Sequence, residues 1–269
     1  MAVDEDALAA AYNRALALEK SGDLDAAAEA YREVLRLDPE DRGGASVRLA
    51  GMGRGPVPET APEAYVATLF DQNAAVFDDV LVEQLGYAVP MMVRERITAL
   101  GLGPFGPMLD LGCGTGLTGV SLADMAGPIT GVDLAEAMLE EADERECYEA
   151  LYVGEAVAFL EESGEGPWAL ITATDVLPYM GALERFFAAA SAELLAGGLL
   201  VFSTETLTEE AFGGAGYVVG RGHRFAHHPG YIARLMRDAG LECHESSPIT
   251  VRTENGVPVP GELIIAVHP

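Results

Sequence analysis

Pro107-Met108-Leu109-Asp110-Leu111-Gly112-Cys113-Gly114-Thr115-Gly116-Leu117 reads as a buried strand running into a glycine turn and then a helix. The apolar run Met108 to Leu111 has the length of a parallel strand. Gly112, Gly114 and Gly116 allow a tight turn whose backbone approaches a ligand closely. Leu117 to Met125 has helical spacing, so the turn ends at a helix N-terminus with unpaired N–H donors. A glycine loop alone says little; this one gains weight from the acids that stand at strand ends downstream of it.

Beyond the loop, strands and helices alternate. Pro128 to Asp133 predicts a second strand ending in an acid, and Leu134 to Ala142 a helix. A short strand at Leu151 to Val153 leads through Gly154-Glu155-Ala156 into a helix over Val157 to Leu160. A fourth strand, Trp168 to Ala173, ends at Thr174-Asp175. A helix over Leu183 to Leu195, closed by Gly197-Gly198, precedes a fifth strand at Leu199 to Ser203. This rhythm implies an α/β fold with a doubly wound parallel sheet. The tail departs from it: a ribbon over Gly216 to His228, a helix over Tyr231 to Ala239, and strands at Glu242 to Val251 and Glu262 to His268 around the hairpin signal Asn255-Gly256. A closing antiparallel pair is expected.

Upstream, residues 4–39 predict two helices around Ser21-Gly22-Asp23. The spacing Ala15-x2-Leu18, Ala27-x3-Tyr31 and Pro39 follows the tetratricopeptide helix–turn–helix pattern, with Arg14 where that pattern prefers leucine. Ala45, Leu49 and Met52 fall on a third helix and Ala61 and Tyr65 on a fourth, although Pro56 and Pro58 interrupt a second repeat. The expected organisation is a small all-α tetratricopeptide-like unit over 1–55, a linker over 56–63, and a ligand-binding domain over 64–269 whose first part, 64–100, holds a lid and leading helices. The helical unit serves either as a docking surface for another protein or as a packing or self-association appendage. One helix is expected over Ala64 to Leu85, with Phe70-Asp71-x2-Ala74-x2-Phe77-Asp78 placing two aromatics on one face as core or as a lid over the glycine loop.

Composition narrows the partners. The chain of 269 residues carries 43 acidic and 16 basic side chains, a formal charge of −27, and Lys20 is its one lysine. Such a surface repels phosphate backbones and anionic membranes, so neither nucleic acid nor membrane is expected as a partner. Cys113, Cys147 and Cys243 are too scattered for a disulfide framework or a zinc site. With no apolar leader segment and no run of transmembrane length, a cytoplasmic location is expected.

In doubly wound sheets ligands bind outside the carboxyl ends of the strands. The glycine loop, Asp133, Glu155 and Thr174-Asp175 all fall there. Asp133, 17 residues beyond Gly116, stands where a carboxylate accepts ribose hydroxyls. With Leu109-Asp110-Leu111-Gly112-Cys113-Gly114-Thr115-Gly116 before Gly131-Val132-Asp133-Leu134-x3-Met138-Leu139, the chain resembles the class I S-adenosylmethionine-dependent methyltransferases. Thr174-Asp175-Val176-Leu177-x-Tyr179 and Leu194-Leu195-x-Gly197-Gly198 look like later motifs of that family, and the N-terminal repeat looks like its bacterial members that carry tetratricopeptide repeats.

The resemblance implies a Rossmann-like methyltransferase sheet and S-adenosyl-L-methionine as cofactor. It implies that Asp110 and the loop Gly112, Gly114, Thr115 and Gly116 hold the amino-acid end, Asp133 the ribose, and Glu155-Ala156 the adenine. Leu134 and Met138 would pack near the adenosine, Thr174 would touch the methionine part, and Phe77 would belong to the lid. Glu155 stands where the family more often has Asp. Candidate bases are Asp175, Tyr179 and the cluster His223-Arg224-Phe225-Ala226-His227-His228 with Tyr231, His227 foremost among the histidines. No metal ligand set stands at suitable spacing. The expected activity is methylation of a small molecule or a partner protein. A cofactor-binding adaptor without turnover is the rival from another class. A nicotinamide oxidoreductase is disfavoured because the glycine spacing differs from G-x-G-x-x-G.

Overall fold

The computed structural model describes residues 4–220 and 222–269, with Glu83 described by its backbone alone. Helices α1 (Glu5–Ser21), α2 (Leu24–Leu37), α3 (Ala45–Gly51), α4 (Glu63–Asp71) and α5 (Val89–Ala99) come first. Next are β1 (Met108–Leu111), α6 (Leu117–Leu122), β2 (Ile129–Asp133), α7 (Glu136–Asp143), β3 (Ala150–Val153), α8 (Ala156–Glu162), β4 (Trp168–Ala173), α9 (Glu184–Ala192) and β5 (Leu194–Glu205). The remainder is α10 (Glu209–Phe212), β6 (Tyr217–Val219), β7 (Phe225–His227), α11 (Pro229–Asp238), β8 (Glu242–Glu254) and β9 (Val257–Val267).

Seven strands form one sheet in the order β3-β2-β1-β4-β5-β9-β8. The first five are parallel, while β9 runs antiparallel to both β5 and β8. Two-residue alternation sends the strand side chains to two cores. Met108, Leu170, Leu199, Val201, Leu263 and Ile265 pack with Val93 and Ile97 of α5 and Leu122 of α6. Leu109, Ile171, Leu200, Phe202 and Ile264 pack with helices α8, α9 and α11 on the other face. Asn255 (φ 50°) and Gly256 (φ 77°) make the left-handed pair that joins β8 to β9, so the hairpin forms where Asn-Gly predicts it.

Two expectations need correction. Gly197-Gly198 does not close a helix. It lies inside β5 as a wide bulge, because Leu194 pairs with Trp168 and Leu199 with Leu170. Gly197 (φ 76°) turns its N–H onto the His268 carbonyl, 2.7 Å away, so α9 ends earlier, at Ala192. The single helix expected over Ala64 to Leu85 is also broken, into α4, a 3₁₀ turn at Ala74–Val76 and a π-helical turn at Asp79–Gln84. On a straight helix residues seven apart rise about 10.5 Å. The rings of Phe70 and Phe77 lie 5.7 Å apart, centroid to centroid, edge to face. The break folds the two aromatics together and sends their neighbouring acids to different anchors.

At the N-terminus Asp4 caps α1 by accepting from Ala7 N at 3.0 Å, Asp23 caps α2, and Gly22 (φ 83°) makes the turn between them. Ala15, Ala27 and Tyr31 are fully buried between the two helices. Helix α3 is two-faced: Ala45 and Leu49 complete that small core. Its Val47 and Ala50 instead pack with Ala61, Val66, Val219 and Phe225, so the helical unit is continuous with the β6–β7 ribbon. Among the described residues no helix is long and apolar enough to cross a membrane.

Candidate functional site

The carboxyl ends of β1, β2, β3 and β4 open into a cavity of about 1070 Å³, counting its mouth. Of the expected site residues, Phe77, Gly112, Gly114, Thr115, Asp133, Leu134, Glu155, Ala156, Thr174, Asp175 and Tyr179 line it. Gly112 has φ 59°, and a Cβ there would stand 2.4 Å from Val176 Cγ2. Only glycine fits that turn, which keeps the loop pressed against the cavity wall. Gly116 (φ 88°) starts α6 behind the lining rather than in it.

Asp133 lines the cavity at the end of β2. Its oxygens accept from Gly114 N and Ala135 N, each at 2.9 Å. Burial nevertheless raises its carboxyl above the ordinary range, with the two amide bonds offsetting part of the effect. Each oxygen keeps a lone pair for a further donor. Glu155 caps α8 through Ala158 N at 2.7 Å, so it is both a helix cap and a wall residue. Thr174 Oγ1 and Thr118 Oγ1 share a buried bond of 2.8 Å.

Three expected contacts are corrected by the packing. Asp110 does not reach the cavity: it is buried, accepting from Thr172 Oγ1 and Tyr148 Oη at 2.7 Å each. Burial pushes its carboxyl up to about 6, and the charge of Asp133 adds to the rise against the two hydroxyl bonds. Asp110 thus supports the loop from beneath. Met138 is fully buried among Ala74, Ala135, Phe70 and Phe77, where it props the aromatics instead of meeting a ligand. His227 is no cavity base. It is buried, its Nε2 lies 2.8 Å from the Met180 carbonyl, and burial drops its imidazole to about 4. Its neighbour His228 caps α11 instead, accepting from Gly230 N.

The two Phe-Asp pairs act as clasps. Asp71 accepts from Ala137 N of α7 at 3.1 Å. Asp78 accepts from Thr115 Oγ1 at 2.5 Å and pairs with Arg145, which also donates to the Thr115 carbonyl. The segment carrying Phe70 and Phe77 is therefore hooked to the glycine loop and to the helix after β2, roofing the cavity. Residues 59–61 close another side: the Glu59 carbonyl accepts from Gly181 N and Ala182 N at 2.8 and 2.7 Å, and Ala61 N donates to Tyr179 O at 2.9 Å.

At the far end, Arg224 is the one cationic side chain lining the cavity among the described residues. Its Nε donates to Tyr179 Oη at 3.2 Å and its Nη1 to Glu254 at 2.6 Å. The guanidinium lies over the Tyr179 ring at 5.9 Å, and that ring meets Phe70 edge to face at 5.3 Å. Arg224, Tyr179, Phe70 and Phe77 thus form one continuous wall. Behind it Arg252, only 1% exposed, holds Glu205 at 2.6 Å, Glu254 at 2.8 Å and Asp175 at 3.4 Å. Asp175 itself sits at φ 59°, its N–H bonded to Ser203 Oγ at 2.8 Å. Tyr87 and Thr118 also line the cavity, and the sequence reading does not find them. The one hint is an aromatic stranded past Gly86, outside any apolar period.

The seven-stranded sheet, with a glycine loop after β1 and an acid ending β2, is a Rossmann-like α/β frame, and a family model places it further. The methyltransferase domain model matches residues 85–246, and the chain belongs to that family. A tetratricopeptide repeat model matches residues 9–41. A ubiquinone biosynthesis O-methyltransferase of Maricaulis maris is 30% identical over 147 residues, covering 50% of this chain and 58% of that one. The chain thus spans little more than half the length of that relative. The enzyme of the same name from Xanthomonas axonopodis is 28% identical, covering 58% of this chain and 71% of its own. Among solved structures, magnesium protoporphyrin IX methyltransferase of Synechocystis with bound S-adenosylmethionine superimposes with a TM-score of 0.51 at 15% identity, over 90% of this chain and 97% of that one. That last likeness speaks to the fold alone.

Proposed function

We propose that the protein transfers a methyl group from S-adenosylmethionine to a hydroxyl on a small planar molecule. The observation that carries this reading is the convergence, in one cavity, of the glycine loop, Asp133, Glu155 and Thr174 on successive strand ends. The residues fit the cofactor: free lone pairs on Asp133 for ribose hydroxyls, Glu155 and Ala156 beside the adenine place, and the loop at Gly114, where the place of a Cβ is open space on the cavity wall. In this assignment Leu134 packs on the adenosine, Thr174 meets the methionine part, and Phe77 roofs it.

When bound, S-adenosylmethionine would supply a sulfonium-activated methyl group. The chain's own residues position and dry the site, which is where most of the acceleration arises. Tyr179 and Phe70 offer an aromatic wall, Arg224 stands beside it as the cationic group, and Asp175 receives the acceptor's proton. The O-methyltransferase names of the relatives and this aromatic wall support a hydroxyl acceptor. The catalytic unit is assigned to 64–269, and residues 56–63 join it to the helical unit over 1–55 while also closing one side of the cavity.

Calorimetry with S-adenosylhomocysteine and NAD, followed by transfer of labelled methyl to a panel of phenols and catechols, tests the reading. Binding of S-adenosylhomocysteine alone and labelled phenol product are expected. Binding of NAD in its place refutes it, and tight binding with no turnover on phenols, amines or lysate leaves the adaptor in its stead.

A further inference from the structure

The helical unit meets the rest of the chain at a point one residue from the cavity. The turn between β6 and β7 carries His223, whose Nε2 lies 2.9 Å from Glu19 of α1. The other Glu19 oxygen accepts from Tyr31 Oη at 2.5 Å and from Arg48 Nη1 at 2.9 Å. Arg48 lies over the rings of both Tyr12 and Tyr31, 5.9 Å from each. The Glu19 and His223 side chains are only 16% and 20% exposed, so this is a packed cluster and not a surface ion pair. Burial, with Arg48 nearby, lowers the His223 imidazole below its ordinary value, which leaves it neutral at pH 7 and donating Nε2–H to the carboxylate.

That contact lies where the ribbon is weakest. Strands β6 and β7 share three residue pairs. A two-stranded ribbon of that size has little stability of its own, and its turn holds Gly220 and Gly222. The tip must take its shape from what it packs on. Val219 and Phe225, at its two ends, are buried against Val47 and Ala50 of α3, and a Cβ on Gly51 would come within 3.1 Å of the Gly220 carbonyl. Arg224, next after His223, closes the turn by accepting from Gly220 N at 2.8 Å and turns its guanidinium onto Tyr179 in the cavity.

We infer that Glu19 and His223 are positioning residues: the tetratricopeptide-like unit is an internal brace that holds the β6–β7 turn and so fixes Arg224 in the acceptor wall. The brace rests on the contacts alone, and its service to an acceptor rests on the methyltransferase reading. It gives the helical unit a task inside the chain, with the polar cluster of Tyr12, Glu19, Tyr31 and Arg48 engaged by the chain's own turn.

Full-length protein labelled with ¹⁵N-arginine tests it through the side-chain Nε–H signals, the Arg224 signal being assigned by its loss in Arg224→Lys. In Glu19→Ala the Arg224 Nε–H should exchange with water at least tenfold faster, while that of Arg252, bonded to Glu254 on β8, keeps its rate. Glu19→Gln retains an oxygen for His223 and should stay within threefold of the parent. His223→Ala removes the same bond from the turn side and should reproduce the acceleration even if α1 tolerates no change at Glu19. An unchanged Arg224 rate in both alanine variants overturns the brace, as does equal acceleration of Arg224 and Arg252, which would mean general loosening. S-adenosylhomocysteine affinity should stay within twofold in these variants. A parent protein that fails to bind it refutes the methyltransferase reading and the acceptor role of the brace, while the exchange rates still decide whether the brace exists.

Discussion

Asp133→Ala is the sharpest test of the cofactor end. The carboxylate holds the loop through Gly114 N and Ala135 N, both at 2.9 Å, and its two remaining lone pairs are assigned to the ribose hydroxyls. A hydrogen bond to a charged partner contributes about 1.5–3 kcal/mol. Two of them, sharing one carboxylate, give about 3–4 kcal/mol, or a 10²- to 10³-fold rise in Kd. The unliganded protein should lose little, because burial already raises the Asp133 carboxyl and removal of a poorly solvated charge offsets the lost amide bonds. Asp133→Asn, which keeps one acceptor oxygen, should fall between parent and alanine variant. Calorimetric titration with S-adenosylhomocysteine, alongside urea unfolding of the unliganded proteins, separates the two effects. An alanine variant that binds within threefold of the parent refutes the assignment of Asp133 to the ribose.

The roof, the loop and the buried acid each carry a further expectation. Asp78→Ala unhooks Thr115 and Arg145, so S-adenosylhomocysteine should dissociate roughly 5- to 20-fold faster in stopped-flow traces, at about 1–2 kcal/mol for the bonds lost. Gly112→Ala forces a Cβ into Val176 at a left-handed φ, and should cost about 2–3 kcal/mol in urea unfolding together with most cofactor affinity. Asp110 has a folded value of about 6 against 3.8 in the free side chain, so folding favours its protonated form. That contribution is fully present below 3.8 and is lost as the pH rises through about 6, a total of about 3 kcal/mol. Between pH 5 and 8 the parent should lose roughly 1.5 kcal/mol relative to Asp110→Asn, read from paired urea midpoints; parallel pH profiles would refute the raised value.

Much of the sheet was legible because its signals are local. Met108 to Leu111, the glycine spacing and the acid ending β2 each depend on a handful of neighbouring residues, and the Asn-Gly hairpin is fixed by two φ angles. The broken roof was not legible, since Asp78 finds its partners at Thr115 and Arg145, far along the chain, and apolar spacing alone predicts an unbroken helix. His227 misleads for a related reason. A cluster of histidines says nothing of direction, and on β7 this one turns inward to the Met180 carbonyl. Arg252 falls just past the strand expected over Glu242 to Val251, yet in the structure it lies within β8, enclosed by Asp175, Glu205 and Glu254, two of them contributed by the β4–β5 region. Such a pairing is written only in the completed sheet.

The insertion of β9 between β5 and β8 also sets a timetable for synthesis. Strand β5 ends at Glu205, but the partner that covers its edge begins at Val257. At about 5–20 residues per second, several seconds separate the two on the ribosome. Throughout that interval Leu199, Leu200, Val201 and Phe202 present an open, apolar β edge, and Asp175 and Glu205 wait without the guanidinium that will hold them. The nascent chain is then most exposed to edge-to-edge association. Slowing translation between codons 206 and 256 should therefore lower soluble yield more than slowing it within the N-terminal helices, whose contacts close locally as they emerge.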